Sequence, residues 1–154
     1  MKMSVYALSV GLVGFVVSLL LSVVSVYLGL LLFSRLTPKT DEFAELAKGN
    51  VAVGLLLASV VFAVALVVTP AIPHLSNALL SARYALISSF VVVLVRLIAA
   101  VVSVSLAVYV FDRLSGSLDE FAEIKKGNTA VSVVLAAVIL ATALFIRSSF
   151  NAVA

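Results

Sequence analysis

Apolar and polar positions segregate along this chain in long blocks. Four runs rich in Val, Leu, Ala and Ser, at Ser4–Phe33, Asn50–Thr69, Tyr84–Phe111 and Asn128–Ile146, are separated by short stretches that hold most of the charge. Each run reaches the roughly 20 apolar residues that a helix needs to cross a bilayer. The pattern predicts an all-α integral membrane protein with four transmembrane helices. The first and third runs exceed what the hydrocarbon layer requires, which predicts tilt or protrusion. Tyr6, Phe33, Tyr84, Tyr109 and Phe111 lie near the ends of those two runs, where interfacial aromatics are expected. The first run is also longer than the roughly 7–15 residues of a signal-peptide core, and no clear small-residue cleavage site follows it. It reads as a retained span.

The polar stretches carry a repeat. DEFAELAKGN at 41–50 returns as DEFAEIKKGN at 119–128, identical at eight of ten positions. The same offset lays the first run on the third and the second on the fourth, with Phe33 on Phe111 and Arg35 on Arg113. This predicts a tandem duplication of a two-helix unit, residues 1–73 and 74–154. Each unit holds an even number of spans, so the copies are expected to be parallel, related by an axis along the membrane normal.

Composition agrees with lipid as the solvent. The 154 residues are 64% hydrophobic and 11% charged, with a mean hydropathy of +1.34. A soluble domain is about half apolar and a quarter charged. A chain this short cannot hide the excess in one core.

All seven acids lie in segments 35–48 and 112–127, beside Arg35, Lys39, Lys48, Arg113, Lys125 and Lys126. The other side of the membrane would carry Lys2, Arg83 and Arg147. The Lys/Arg bias predicts cytoplasmic charged connections, with both termini and the central loop outside. The net charge of +3 is spread out, with no basic run of the kind that binds nucleic acid.

Candidate chemistry is sparse. Cysteine is absent and His74 is the single histidine, so neither a disulfide framework nor a thiolate or histidine metal cluster is available within one chain. No nucleophile–base signature, Gly-rich phosphate loop or HExxH motif occurs, so no enzyme, cofactor or metal is expected. His74 falls in a linker with two prolines, TPAIPHLSNALLSAR, which predicts a turn and then an outer helix feeding the third span.

The repeated phrase predicts a short amphipathic helix on the inner leaflet in each copy, at 40–48 and 118–126. Phe43, Leu46 and Ala47 fall on one side; Asp41, Glu42 and Glu45 fall mostly on the other. Acids early and Lys48 late suit the helix dipole. Thr37-Pro38 is a start signal for the first helix, and Ser117-x-x-Glu120 reads as a capping box for the second. Gly49 and Gly127 suit the left-handed residue that ends a helix, and Asn50 and Asn128 suit caps of the spans that follow. Asp41, Glu42, Glu45, Asp119, Glu120 and Glu123 would then form an inner acidic face, either a plain solvated helix surface, a cation-drawing vestibule or a docking face for a cytoplasmic partner.

Thr37, Pro38, Glu45, Leu46, Gly49, Asn50 and Ala52, with Glu123, Ile124, Gly127, Asn128 and Ala130 in the second copy, make a motif. In its order and spacing the chain resembles domain-of-unknown-function family 350, the YjfL-like small membrane proteins of bacteria and archaea. It departs in having Ser115-Gly116 where Thr-Pro would stand, and Ala or Ser at several positions where glycines would be expected. The resemblance implies a four-span duplicated membrane protein and brings no activity with it.

Within the spans, Gly11, Gly14, Ser18, Ser22, Ser25 and Gly29 form a stripe that lets another helix approach closely. The corresponding positions of the third span are Ser89, Val92, Arg96, Ala100, Ser103 and Ala107. Gly54, Ala58 and Ala65, and Ser132, Ala136 and Ala143, are expected on packing faces of the second and fourth. Such seams predict a homo-oligomer. Arg96 is the one charge within a span, and no acid in any span can pair with it. Its expected partners are Ser18, Ser22, Ser103, backbone carbonyls, water, lipid phosphate or an anion; alternatively it snorkels to the outer headgroups. Two functional readings follow: a scaffold-like homo-oligomeric assembly, or an ion or small-solute pathway involving Arg96.

Overall fold

The computed structural model describes residues 5–36, 41–81, 83–116 and 118–151. Those residues form seven α-helices: α1 (Val5–Leu36), α2 (Glu42–Ala47), α3 (Val51–Val68), α4 (Ile72–Ser81), α5 (Arg83–Ser115), α6 (Glu120–Lys125) and α7 (Thr129–Asn151). A 3₁₀ turn at Thr69–Ala71 joins α3 to α4. No strand occurs among the described residues. Four stretches are long and apolar enough to cross a membrane: Gly11–Arg35, Val51–Leu79, Leu86–Ser115 and Thr129–Phe150. Helices are what such sequences must form in lipid, where each backbone N–H and C=O needs a partner within its own segment.

The helices run past several expected ends. The second span does not stop at Thr69. It bends through the 3₁₀ turn and continues as α4, giving an apolar stretch of 29 residues. Pro70 and Pro73 cause the bend, since neither has an N–H to continue an α-helical ladder. The fourth span continues to Phe150, on a helix that ends at Asn151. At 32 and 33 residues, α1 and α5 are about 48–50 Å long, well beyond the roughly 30 Å hydrocarbon layer.

The central helix is α3. Its Ala52, Val53, Leu56, Val60, Ala63, Val64 and Val67 are buried against Leu135, Ile139 and Ala143 of α7 and Ala100, Val104 and Ala107 of α5. Small side chains bring α3 and α7 close, and Ser132 Oγ donates to the Ala52 carbonyl at 2.6 Å across that seam. A second cluster joins Val17 of α1, Leu75 of α4, Val93 of α5 and Ala71 of the bend. The least enclosed helix is α1: only 18% of its spanning stretch is buried, against 56% for α3–α4.

The packing faces differ from expectation in three places. On α3, Ala58 and Ala65 are exposed, and the buried small residues are Ala52, Ser59 and Ala63. On α1, Gly29 lies against Val64 and Gly14 against Ser76, but Gly11 and Ser22 face outward. Phe33 is not an interfacial aromatic: it is 1% exposed, in the core beside α3. Tyr109 is exposed and Phe111 packs partly against the core; the side chains of Tyr6 and Tyr84 lie outside the described residues.

Candidate functional site

Polar groups gather at two places, the paired Gly–Asn turns and the bend between α3 and α4.

The turns are built by local chemistry. Asp41 and Asp119 are the N-caps of α2 and α6, their carboxylates accepting from Ala44 N and Ala122 N at 3.0 Å. The capping box expected from Ser117 is therefore replaced by Asp119, two residues later, and Ser117 lies outside the described residues, as do Thr37 and Pro38. Gly49 and Gly127 adopt φ of +80° and +90°, left-handed conformations open to glycine without strain. Gly49 N donates to Leu46 O and Asn50 N to Glu45 O; Gly127 N and Asn128 N do the same to Ile124 O and Glu123 O. Each helix thus ends in the paired bonds of a Schellman motif.

Both asparagines then cap a span. Asn50 Oδ1 accepts from Val53 N at 3.2 Å, and Asn128 Oδ1 from Val131 N at 3.4 Å. Their amide groups part company. Asn50 Nδ2 donates to the carbonyls of Lys125 (2.9 Å) and Ile124 (3.2 Å) at the end of α6. Asn128 Nδ2 donates to Glu123 Oε2 of its own segment at 3.1 Å.

The acids are placed differently from an open acidic face. Glu42, Glu45 and Glu120 are 5%, 8% and 3% exposed, while Phe43 and Leu46 point outward at 60% and 42%. The sides of α2 are reversed relative to a soluble amphipathic helix, with acids inward and apolar residues outward. On α6, Ile124 packs into the core and Phe121 packs partly against it. Ser115 Oγ donates to Glu120 Oε1. Lys48 and Lys126 pair with Glu45 and Glu123 at 2.8 Å. Lys48 holds the Glu45 carboxyl below its ordinary range; Lys126 and then Asn128 do so for Glu123, which in turn raises Lys126. Of the six acids, Asp41 and Asp119 remain exposed and Glu123 is half-buried.

Arg96 sits at the second place. It is 3% exposed, with Nη1 donating to the Val67 carbonyl at 3.2 Å and its guanidinium 5.2 Å from the centroid of the Phe150 ring. Pro70 has no N–H to give to a carbonyl of the preceding turn, so the end of α3 is one donor short. Arginine supplies one from a neighbouring helix, and Phe150 offers its π face to the charge. A backbone carbonyl was among the partners expected for Arg96, and Phe150 was not; the sequence signal for which turn offers the carbonyl is Pro70.

The serines expected around Arg96 bond within their own helices. Ser18 donates to Gly14 O, Ser22 to Leu19 O and Ser103 to Ala100 O, at 2.7–2.8 Å. His74 is exposed, and its carbonyl accepts from Ser89 Oγ at 3.2 Å. No group of three or more His, Cys, Asp or Glu side chains is arranged to hold a metal among the described residues.

The comparison that decides the family is with the model described as Domain of Unknown Function (DUF350), which matches residues 7–103 and 85–154. The chain belongs to the DUF350 family. The motif around Gly49-Asn50 and Gly127-Asn128, which carried the resemblance, thus marks a DUF350 protein whose four long apolar helices suit a membrane. Neither curated proteins nor solved structures give a match.

Proposed function

We propose that this DUF350 protein is a non-enzymatic integral membrane protein that works by assembly, as a scaffold-like homo-oligomer of helical bundles. The observation that carries this reading is a dry interior. The space among α3, α5 and α7 is filled by Val53, Val60, Val64, Ala100, Val104, Ile139 and Ala143, each at most 3% exposed. Ser132 and Ser103, both fully buried there, are each hydrogen-bonded to a carbonyl. A permeation pathway through Arg96 needs water at that side chain; its burial and its bond to Val67 O favour a structural role instead.

Assembly is supported by the small residues left outward, Gly11, Ala58 and Ala65, and by the scant burial of α1. The duplication reading is supported by the six-residue α2 and α6, each with an Asp N-cap, a Schellman glycine and an Asn that caps the next span. The two overlapping matches of the family model support it further. In this reading residues 1–73 and 74–154 are parallel copies, with the turns in the cytoplasm and the termini outside.

The test has two arms on the purified full chain. Light scattering in detergent and disulfide trapping of Ala58→Cys and Ala65→Cys should report a defined oligomer; monomers alone would end the assembly reading. Planar-bilayer conductance of the wild type beside Arg96→Ala, at low and high salt, should be silent. A current whose selectivity changes in the variant would establish the pathway instead.

A further inference from the structure

The end of the molecule that carries the two turns is acidic in sequence and basic on its surface. Segments 35–48 and 112–127 contain seven acids against six Lys and Arg. In the fold, Glu42, Glu45 and Glu120 are buried, which leaves exposed Asp41, Asp112 and Asp119 and half-buried Glu123, with Asp41 and Asp119 engaged as helix caps. Arg35, Lys48, Arg113, Lys125 and Lys126 are all exposed. Even within their ion pairs, Lys48 and Lys126 keep 68% and 71% of their side-chain surface open. Lys48, at the end of α2, pairs with Glu45, and Asn50 holds the carbonyl of Lys125 at the end of α6, so both lysines gather where those two ends meet the start of α3.

Beside this basic group lies an apolar rim. Phe43, Leu46 and Val51 are 60%, 42% and 71% exposed, continuous with the outward face of α3 at Leu55 and Phe62. Between α2 and α3 opens a cleft of about 350 Å³ lined by Leu46, Gly49, Asn50, Val51, Gly54 and Leu55. Gly54 suits its wall, since a Cβ there would come within 3.3 Å of Leu46 Cδ1.

We propose that the corner between α2 and α3 docks an anionic phospholipid of the adjoining leaflet, its phosphate against Lys48 and Lys125 and its glycerol and first acyl carbons in the cleft beside Gly54. Charge complementarity selects an anion, and the rim selects one that carries hydrocarbon. A soluble acidic partner would leave Phe43 and Val51 without apolar contact. A lipid covers both and continues along α3.

The test is native mass spectrometry of the full chain released from mixed micelles of phosphatidylglycerol and phosphatidylcholine. Phosphatidylglycerol should be retained preferentially, and Lys48→Gln with Lys125→Gln should cut that preference about tenfold. Circular dichroism of the double variant checks that the helices persist, and Arg113→Gln, away from the cleft, should leave the preference intact. Equal retention of both lipids would overturn the proposal, as would an undiminished preference in the double variant or an equal loss in Arg113→Gln. Inorganic phosphate that displaces the lipid completely would reduce the site to a free-anion site. A dimer that excludes phosphatidylglycerol would give the corner to a second copy.

Discussion

The side-chain amide of Asn50 donates to the Lys125 carbonyl at 2.9 Å, fastening the start of α3 to the end of α6, while Asn128 makes no reciprocal bond of that kind and turns to Glu123 instead. Two residues in the same sequence context thus share part of their work and differ in the rest. Each caps its own span and helps to lower a local carboxylate, Glu45 for Asn50 and Glu123 for Asn128; Asn50 in addition ties two segments distant in sequence.

That difference predicts unequal costs. Asn50→Ala removes a helix cap and two bonds to α6, at about 1 kcal/mol for the cap and about 0.5–1.5 for each bond. Asn128→Ala loses a longer cap bond and one bond to an already paired Glu123. Unfolding in detergent monitored by circular dichroism should place Asn50→Ala at least about 1 kcal/mol below Asn128→Ala. Equal costs would mean that the bonds to Ile124 and Lys125 contribute little.

Gly29 makes a second test, on the loosely held α1. A Cβ at this position would stand 2.7 Å from Val64 Cγ2, whereas one at Gly11 would meet nothing within 4 Å. Gly29→Ala should destabilise by about 1–3 kcal/mol through overpacking. Gly11→Ala should stay within about 0.5 kcal/mol. Val64→Ala should recover most of the Gly29→Ala loss when the two are combined, read as a coupling in a double-mutant cycle. Additivity would show that α1 shifts to absorb the methyl.

Acid should loosen the turns. Glu45 and Glu123 are held below the ordinary carboxylate value of 4.5 by Lys48 and Lys126. A depressed folded pKa contributes stability that is present above the unfolded value and is lost as pH falls through the folded one. Stability should therefore be flat above pH 4.5 with respect to these two groups and decline below it. Glu45→Gln with Glu123→Gln should flatten that decline in pH-dependent thermal unfolding. A decline of unchanged size would assign acid sensitivity to other carboxylates.

Four spans were legible because a block of apolar residues states its solvent without reference to any neighbour, and the Gly–Asn turns were legible because Gly49 and Asn50 act on the backbone next to them. What escaped depended on other segments. The direction of α2 could not be read from Phe43 and Glu42, since it is set by the polar partners that the neighbouring segments offer Glu42 and Glu45, not by the six residues of the helix. Ala58 and Ala65 looked like a seam, but α3 turns Ala52, Ser59 and Ala63 inward because α5 and α7 flank that side. Phe33 looked interfacial by its place at the end of a run and is buried because it packs into the core cluster centred on α3.

Arg96 is where local and distant information meet, and it allows the most discriminating prediction. Pro70 removes an N–H from the end of α3, and Arg96 Nη1 arrives from α5 to donate to Val67 O in that turn. Arg96→Met keeps the length of the side chain and removes the donor, so it should destabilise by about 1–3 kcal/mol, the cost of a buried polar group left unmet. Pro70→Ala restores a backbone N–H at the bend. Combined with Arg96→Met, it should recover part of the loss, because the turn then regains a backbone donor of its own. Phe150→Leu should cost about 0.5–2 kcal/mol in the wild type by removing the π face, and less once the charge is gone. A double-mutant cycle over Arg96 and Pro70 with no coupling would separate the arginine from the bend. Its burial would then have to be explained by the charge itself, which returns Arg96 to the list of groups that an ion could meet.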